Sequence, residues 1–379
     1  MKSKRKIILI GNYPSPNTGG GQAKSFKATV DGLKDFGFDI SLINTIGKKE
    51  QMNLIIRSID YFKVIFLLIK KLFNLDNYVV YHIVSSSLSG FLRDFVIIGI
   101  SKIFQKKIII HSHNGNYDVF YNKRNLFIKY LIRRMIKKTD RIILLSKVLR
   151  NTFYFEKDDS KFRYIPNGIP ELPSYKNNTN LKGQDVNILF LSYLIEAKGY
   201  LDLLDAIILL KKKHKNQNFI FHFAGDFKMN PSQDKTYSTY NEAKQLFHSK
   251  IKENNIEDAI VYHGVVSGLK KANLLKLAVV FILPTYFEVE AQPITIIEAL
   301  AYGCTILSTK YRGIPEMLID GYNGYFIEPN SPENIVEVIL KLNTENLTKF
   351  SKNSIDIYYK SFTKEKYIES IKQVVLELA

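Results

Sequence analysis

The chain has 379 residues, 46% hydrophobic and 24% charged, with 20 glycines and 11 prolines, which is too long for one ordinary core and excludes a disordered or fibrous class. Its formal charge of +18 lies wholly in residues 1–170, with 30 Lys and Arg against 12 Asp and Glu, while residues 171–379 balance at 24 against 24. The single cysteine, Cys304, excludes an internal disulfide framework and points to a reducing compartment.

Taken in chain order, "KIILIG" is the first buried strand. The apolar run Ile7–Ile10 is too short for the core of a signal peptide, and no later run approaches a membrane span. "GNYPSPNTGGGQAKSF" follows, with Gly19, Gly20 and Gly21 able to let backbone approach a ligand ahead of a helix whose first N–H groups could meet an anion. A flexible Gly/Pro turn would carry the same residues. "YFKVIFLLIKKLF" is a basic and apolar stretch, and "YVVYHI" and "KIIIHS" are the next strands. In "IIIHSHNGNYD", His111 and His113 stand two apart, so an extended backbone places both on one face. Two titratable groups on an apolar strand are costly unless partnered, which favours a site over a core role. A metal would want a third ligand, and none is apparent. "NLFIKYLIRRMIKKTD" is an amphipathic helix, with Leu126, Tyr130 and Leu131 on one face and Lys129, Arg133 and Lys137 on another. "RIILLS" closes the first set of strands.

The Pro, Asn and Gly-rich segment "IPNGIPELPSYKNNTNLKGQDV" cannot hold a helix or a sustained strand, and the charge balance changes at the same place. The expected division is therefore an N-terminal domain 1–170, a linker 171–184 and a C-terminal domain 185–358. A last helix, 359–379, is expected to cross back to the first domain. "VNILFLS", "FIFHFAG", "IVYHG", "VVFILP" and "TILST" are strands of the second domain. Continuous β-branched strands alternating with amphipathic stretches predict an α/β fold of two doubly wound, Rossmann-like domains facing across a cleft.

In "LFLSYLIEAKGYLDLL", Lys198 sits at a strand-to-helix junction, a position suited to a phosphate. "EVEAQPITIIEALAYG" carries Glu290 in the loop after "FILPTY" and Glu298 inside an apolar helix in which Pro293 is the first-turn residue. A charge on a buried helix face needs a reason. The N–H groups of Ile294 and Thr295 could hold a phosphate between two carboxylates that grip sugar hydroxyls.

These motifs resemble a retaining glycosyltransferase of family 4, with the GT-B fold. The resemblance rests on the E-x7-E pair Glu290 and Glu298, on "RGIPEML", "DGYNGYFIEP", "IPNGI", "FLSYLIEAKGYLDLL" and "HGVVSG", and in the first half on the glycine loop and "HSHNGNYDVFY". It covers the chain nearly end to end. It implies Glu298 on the donor ribose, Glu290 on the donor sugar, Lys198 on the diphosphate, and Gly19 and Gly20 approaching it from the other domain. His113, with His111 second, would stand near the reacting carbon. It implies no metal and no cofactor beyond the nucleotide-sugar co-substrate, UDP-linked by family frequency and GDP-linked as second choice. Departures stand at Ser192-Tyr193, where the family has Gly-Arg, at Pro293, where it has Gly, and at Asn114.

The expected function is sugar transfer, as a hexosyl- or N-acetylhexosaminyl-transferase, to a lipid-linked or oligosaccharide acceptor in capsule, exopolysaccharide or lipopolysaccharide synthesis. The enzyme would be cytoplasmic and peripheral on the inner face of the cell membrane, its basic N-terminal domain meeting an anionic membrane surface. Two other classes fit some of the same features. One is a nucleotide-sugar epimerase or hydrolase on the same fold. The other is a non-catalytic basic binding protein, which would not need the site residues. A nucleic-acid partner is not expected, because no basic-aromatic recognition motif is present.

Overall fold

The computed structural model describes residues 5–14, 20–45, 54–74, 78–170, 185–213 and 219–378, with the side chains of 54–60, 74 and 78 left aside. Residues 171–184, the expected linker, lie outside it, as does Gly19. The chain divides into two compact units, Met1–Gly168 with Lys364–Ala379, and Ile169–Thr363.

Unit 1 contains β1 Lys6–Gly11, α1 Gly21–Asp35, β2 Asp39–Asn44, α2 Leu54–Asn74, β3 Tyr78–Val84, α3 Leu88–Ile103, β4 Lys107–Ser112, α4 Tyr117–Asn122, α5 Leu126–Lys137, β5 Arg141–Leu144 and β6 Phe162–Tyr164. Its six strands pair in parallel in the order β2-β1-β3-β4-β5-β6. Alternation along β1 sends Ile7 and Leu9 to one sheet face and Ile8 and Ile10 to the other, and all four are buried. Burial on both faces explains why these strands read as unbroken apolar runs.

Unit 2 contains β7 Val186–Leu191, α6 Tyr200–Lys213, β8 Phe219–Ala224, α7 Tyr240–Glu253, β9 Ile260–Tyr262, α8 Gly268–Leu277, β10 Val280–Leu283, α9 Ile294–Ala301, β11 Thr305–Ser308, β12 Gly324–Phe326, α10 Pro332–Leu340 and α11 Thr344–Ser361. The sheet order is β12-β11-β10-β7-β8-β9, all parallel. This is the Rossmann order, with its reversal between β7 and β10. Helix ends follow ordinary capping chemistry. Thr239 accepts the Glu242 N–H at the start of α7, and Asn343 and Asn346 close a reciprocal capping box on α11.

Helix α12, Lys364–Leu376, completes unit 1. The expected return at residue 359 is thus corrected: α11 runs unbroken through Ser361 within unit 2, and the return begins at Lys364. The Tyr367 hydroxyl bonds the Thr29 hydroxyl of α1 at 2.8 Å, and Glu377 bridges Arg141 and Arg163, each at 2.7 Å. Tyr367, Ile368, Ile371 and Val374 share the cluster of Ile7 and Leu9. Strands β2, β6 and β12 were not read from the sequence. β6 and β12 are three residues each, and β2, "DISLIN", is an edge strand with a polar, half-exposed pattern. Ile371 is wholly buried. Ile371→Ala should therefore cost about 2–4 kcal/mol of stability, seen as a lowered denaturation midpoint; a cost below about 0.5 kcal/mol would mean α12 is not part of that core.

Candidate active site

In open parallel sheets, ligands sit beyond the carboxyl ends of the strands, where the strand order reverses. In unit 2 that point lies between β7 and β10. The exit of β7 forms a short turn, Glu196–Lys198, that packs on the exit of β10. The Tyr286 N–H donates to Ala197 O at 2.8 Å, and the Thr285 hydroxyl donates to the same oxygen at 3.3 Å. Gly199 makes this approach possible. It has φ +78°, and a Cβ there would stand 2.3 Å from Pro284 O. A third loop braces both exits. The Glu196 carboxylate accepts the Lys235 and Thr236 N–H groups at 2.8 and 2.9 Å, and Gln233 accepts the Glu288 N–H at 3.0 Å.

The turn aims Lys198 at Glu290. The ammonium and the carboxylate form an ion pair with each side chain only 11% exposed, and the ammonium lies 4.7 Å from the Phe287 ring centre. Pro293 is the N-cap of α9 rather than its first-turn residue, and it contributes no side-chain cap. Ile294 and Thr295 open the helix, where no carbonyl of the same helix reaches their N–H groups. Along α9, Ile294, Thr295 and Glu298 are half-buried while Ile296, Ile297, Ala299 and Leu300 are buried. Spacings of one and four residues put the first three on one open face. Glu298 pairs with Lys271 of α8. Both carboxylates that looked unmatched in the sequence therefore have a lysine.

The exits of β7 and β8 are also stitched together. The Ser192 and Leu194 N–H groups donate to Ala224 O and Asp226 O, and the Lys228 N–H returns a bond to Leu194 O. Gly225, at φ +148°, permits this, since a Cβ there would overlap Ser192 O. The pairing holds the Lys228 ammonium 4.0 Å above the ring of Tyr193, which is 45% exposed. Among the described residues Lys228 has no carboxylate within ion-pair distance. Sequence reading missed it because a lone lysine after a strand carries no signal until its neighbour across the sheet is known.

In unit 1, His111 is the penultimate residue of β4 and is fully buried, hydrogen-bonded through Nδ1 to the Tyr81 hydroxyl. The His113 ring lies 4.1 Å from it, centre to centre, and Nε2 of each ring is shielded from solvent without a partner. Gly20 is the N-cap of α1, which carries no acidic residue in its first turn. The sequence reading also overlooked His82 and Asp94. His82 Nε2 lies 2.8 Å from Asp94 Oδ1, which also accepts from Arg93, while the Ser85 N–H donates to Oδ2 at 2.8 Å. Burial pushes the Asp94 carboxyl up, but His82, Arg93 and the Ser85 N–H outweigh it and hold the group below its ordinary value. The signal was available: a histidine inside the apolar run "YVVYHIV" has the same oddity as His111. No group of three or more His, Cys, Asp or Glu side chains converges among the described residues.

Burial pushes His111 well below the ordinary histidine value, with repulsion from His113 adding to it, and burial pushes His113 down to about 3. The unfolded chain takes up these protons near pH 6.5, whereas the folded unit does not. The contribution of these groups to stability is therefore full above pH 6.5 and declines as pH falls below it, for His113 down to about 3. The unfolding free energy should drop between pH 7 and 5, by up to about 1.4 kcal/mol per pH unit for each histidine. His113→Asn should remove one histidine's share of that slope, and an identical slope in the variant would refute the burial of its proton site.

Residues 173–360 match the family model described as "Glycosyl transferases group 1". An uncharacterised glycosyltransferase of Methanocaldococcus jannaschii is 26% identical over 286 residues, 72% of this chain and 68% of that protein. The lipopolysaccharide 1,2-N-acetylglucosaminetransferase of Salmonella typhimurium is 28% identical over 243 residues, 61% of this chain and 59% of its own length. Among solved structures, Anabaena HepE in complex with UDP superposes with a TM-score of 0.73 at 14% identity, covering 98% of this chain and all of that one. At that identity the likeness speaks for the fold, two Rossmann-like units of the GT-B type.

Proposed function

We propose that the chain, whose residues 173–360 match the family model of the glycosyl transferases group 1, transfers a sugar, with retention, from a nucleotide-diphosphate donor to a lipid-linked glycan. The single observation that carries the reading is the clustering of Lys198, Glu290 and the open face of α9 at the β7–β10 reversal. Glu298 and Glu290 hold ribose and donor sugar, each accepting from adjacent hydroxyls. The Ile294 and Thr295 N–H groups, at the positive end of a helix, receive the diphosphate. His113, half-buried with its Nε2 shielded from solvent and its pKa pushed down to about 3, is the histidine assigned to the reacting carbon. UDP-sugars are the first-choice donor; the solved complex with UDP on the same fold is in keeping with that choice.

Charge balance sharpens the assignment. Lys198 and Lys271 are each matched by a carboxylate, so those two pairs are neutral overall. A bound diphosphate needs cation beyond them as well as the helix dipole. Lys228 is a candidate, because the β7–β8 stitching fixes it over Tyr193 at the exit of β7. It lies over Tyr193, the residue that stands in place of the family's arginine. The net basicity of residues 1–170 suits an anionic membrane surface bearing the acceptor, for capsule, exopolysaccharide or lipopolysaccharide synthesis at the inner face of the membrane. No described helix is long and apolar enough to cross a membrane.

A thermal-shift panel of UDP, GDP, ADP and their sugar conjugates tests the donor. A ligand at about 100 times its dissociation constant adds roughly 2.7 kcal/mol, and one base is expected to stand out. Glu290→Ala should then lose sugar transfer while keeping the nucleotide shift; full transfer by this variant would place the chemistry elsewhere. Loss of a donor sugar's turnover only when acceptor is withheld separates a transferase from an epimerase or hydrolase. Lys228→Ala should weaken the selected nucleoside diphosphate about tenfold, a charge-assisted contact of about 1.4 kcal/mol. It should leave the nucleoside without phosphate unaffected, and equal loss for both would remove Lys228 from the phosphate site.

A further inference from the structure

One face of unit 1 is not dressed for water. Helix α3 packs against both α2 and α5, so the three form a continuous layer on the sheet face of Ile8 and Ile10. A water-facing helix normally carries a polar outer stripe. On α3 the residues opposite its buried side are Leu88, Leu92, Val96 and Ile103, all exposed, and the stripe runs the length of the helix. Helix α2 buries Val64, Leu68 and Leu72 and turns Phe62, Phe66 and Phe73 outward, the least exposed of them at 67%. Helix α5 buries Ile132, Met135 and Ile136 and presents Leu126, Phe127 and Tyr130. The expected apolar face of Leu126 and Tyr130 is thus the outer one. Contiguous exposed apolar surface on this scale marks an interaction site.

Charge selects the occupant. Lys63 and Lys70 flank the phenylalanines of α2, and Arg134 and Lys137 stand beside Phe127 and Tyr130 on α5, all exposed. A second copy of the chain would bring the same cations face to face. An anionic bilayer would neutralise them at its headgroups while its acyl boundary takes up the rings. We propose that the α2–α3–α5 face of unit 1 inserts Phe62, Phe66, Phe73 and Phe127 into the acyl boundary of an anionic membrane, with the flanking lysines and arginines on headgroup phosphates. This rests on the membrane-acceptor reading above and adds to it a defined face and a penetrating, rather than purely electrostatic, contact.

The chain has no tryptophan, so Phe66→Trp makes a sole fluorescent reporter at the face, and Phe36→Trp, on the side of the sheet covered by α1 and α12, is its control. Each is mixed with phosphatidylglycerol-containing vesicles, with and without bromine on the acyl chains, and vesicle-bound protein is measured by sedimentation. The expected result is a blue-shifted, bromine-quenched signal from Phe66→Trp and neither change from Phe36→Trp. The double variant Phe62→Ser/Phe66→Ser should lower vesicle partitioning by about tenfold or more for each ring lost. Sedimentation with an unquenched Phe66→Trp signal would overturn the insertion while leaving the membrane reading standing. Absence of any sedimentation would overturn both. A blue shift without lipid that grows with protein concentration would assign the face to a second copy and overturn the proposal.

Discussion

Everything at the β7–β10 reversal depends on two backbones coming closer than any side chain would allow. Gly199 gives the β7 exit its left-handed turn against Pro284, and that contact sets where Lys198 can reach. The same device recurs one strand over, where Gly225 lets the β8 exit lie on Ser192 and so places Lys228 over Tyr193. The site is thus built from backbone first. Its polar side chains are carried to the strand ends by turns that are themselves fixed by hydrogen bonds to main-chain oxygens.

The ion pairs give the site a resting electrostatic state. Lys198 with Glu290 and Lys271 with Glu298 are partly buried, and an unpaired charge in such a place would cost several kcal/mol. A donor that offers phosphate to a lysine and hydroxyls to a carboxylate can replace each partner with one of matching chemistry. Under the proposed donor assignment, selectivity follows from that exchange. A ligand offering only one half of it strands the other charge, so the pairs act against incomplete ligands as well as for complete ones.

How far the sequence could be read follows from which physics is local. Buried parallel strands announce themselves, because burial on both faces forces unbroken apolar runs such as "KIILIG" and "VVFILP". Glu290, Glu298, His111 and His113 stood out for the opposite reason, each being a charge or imidazole in apolar company. Lys198 was legible from its strand-to-helix junction, but two other lysines of the site were not. Lys271 and Lys228 are ordinary lysines until tertiary structure sets one against Glu298 and the other on an aromatic ring. The short strands β2, β6 and β12 were missed because edge strands need no apolar pattern. The outer faces of α2, α3 and α5 were not legible for a different reason. Amphipathicity in a sequence says that two faces differ, without saying which of them looks at the core.

The return of α12 to unit 1 also orders events in time. Unit 2 is continuous from Ile169 to Thr363, so all its parts emerge from the ribosome in one run. Unit 1 is interrupted, and the cluster around Ile7 and Leu9 lacks Tyr367, Ile368 and Ile371 until the whole of unit 2 has been made. At about 5–20 residues per second, that delay is on the order of 10–40 s. During it that face of the nascent N-terminal sheet is covered by α1 but not yet by α12, and its apolar surface is only part buried.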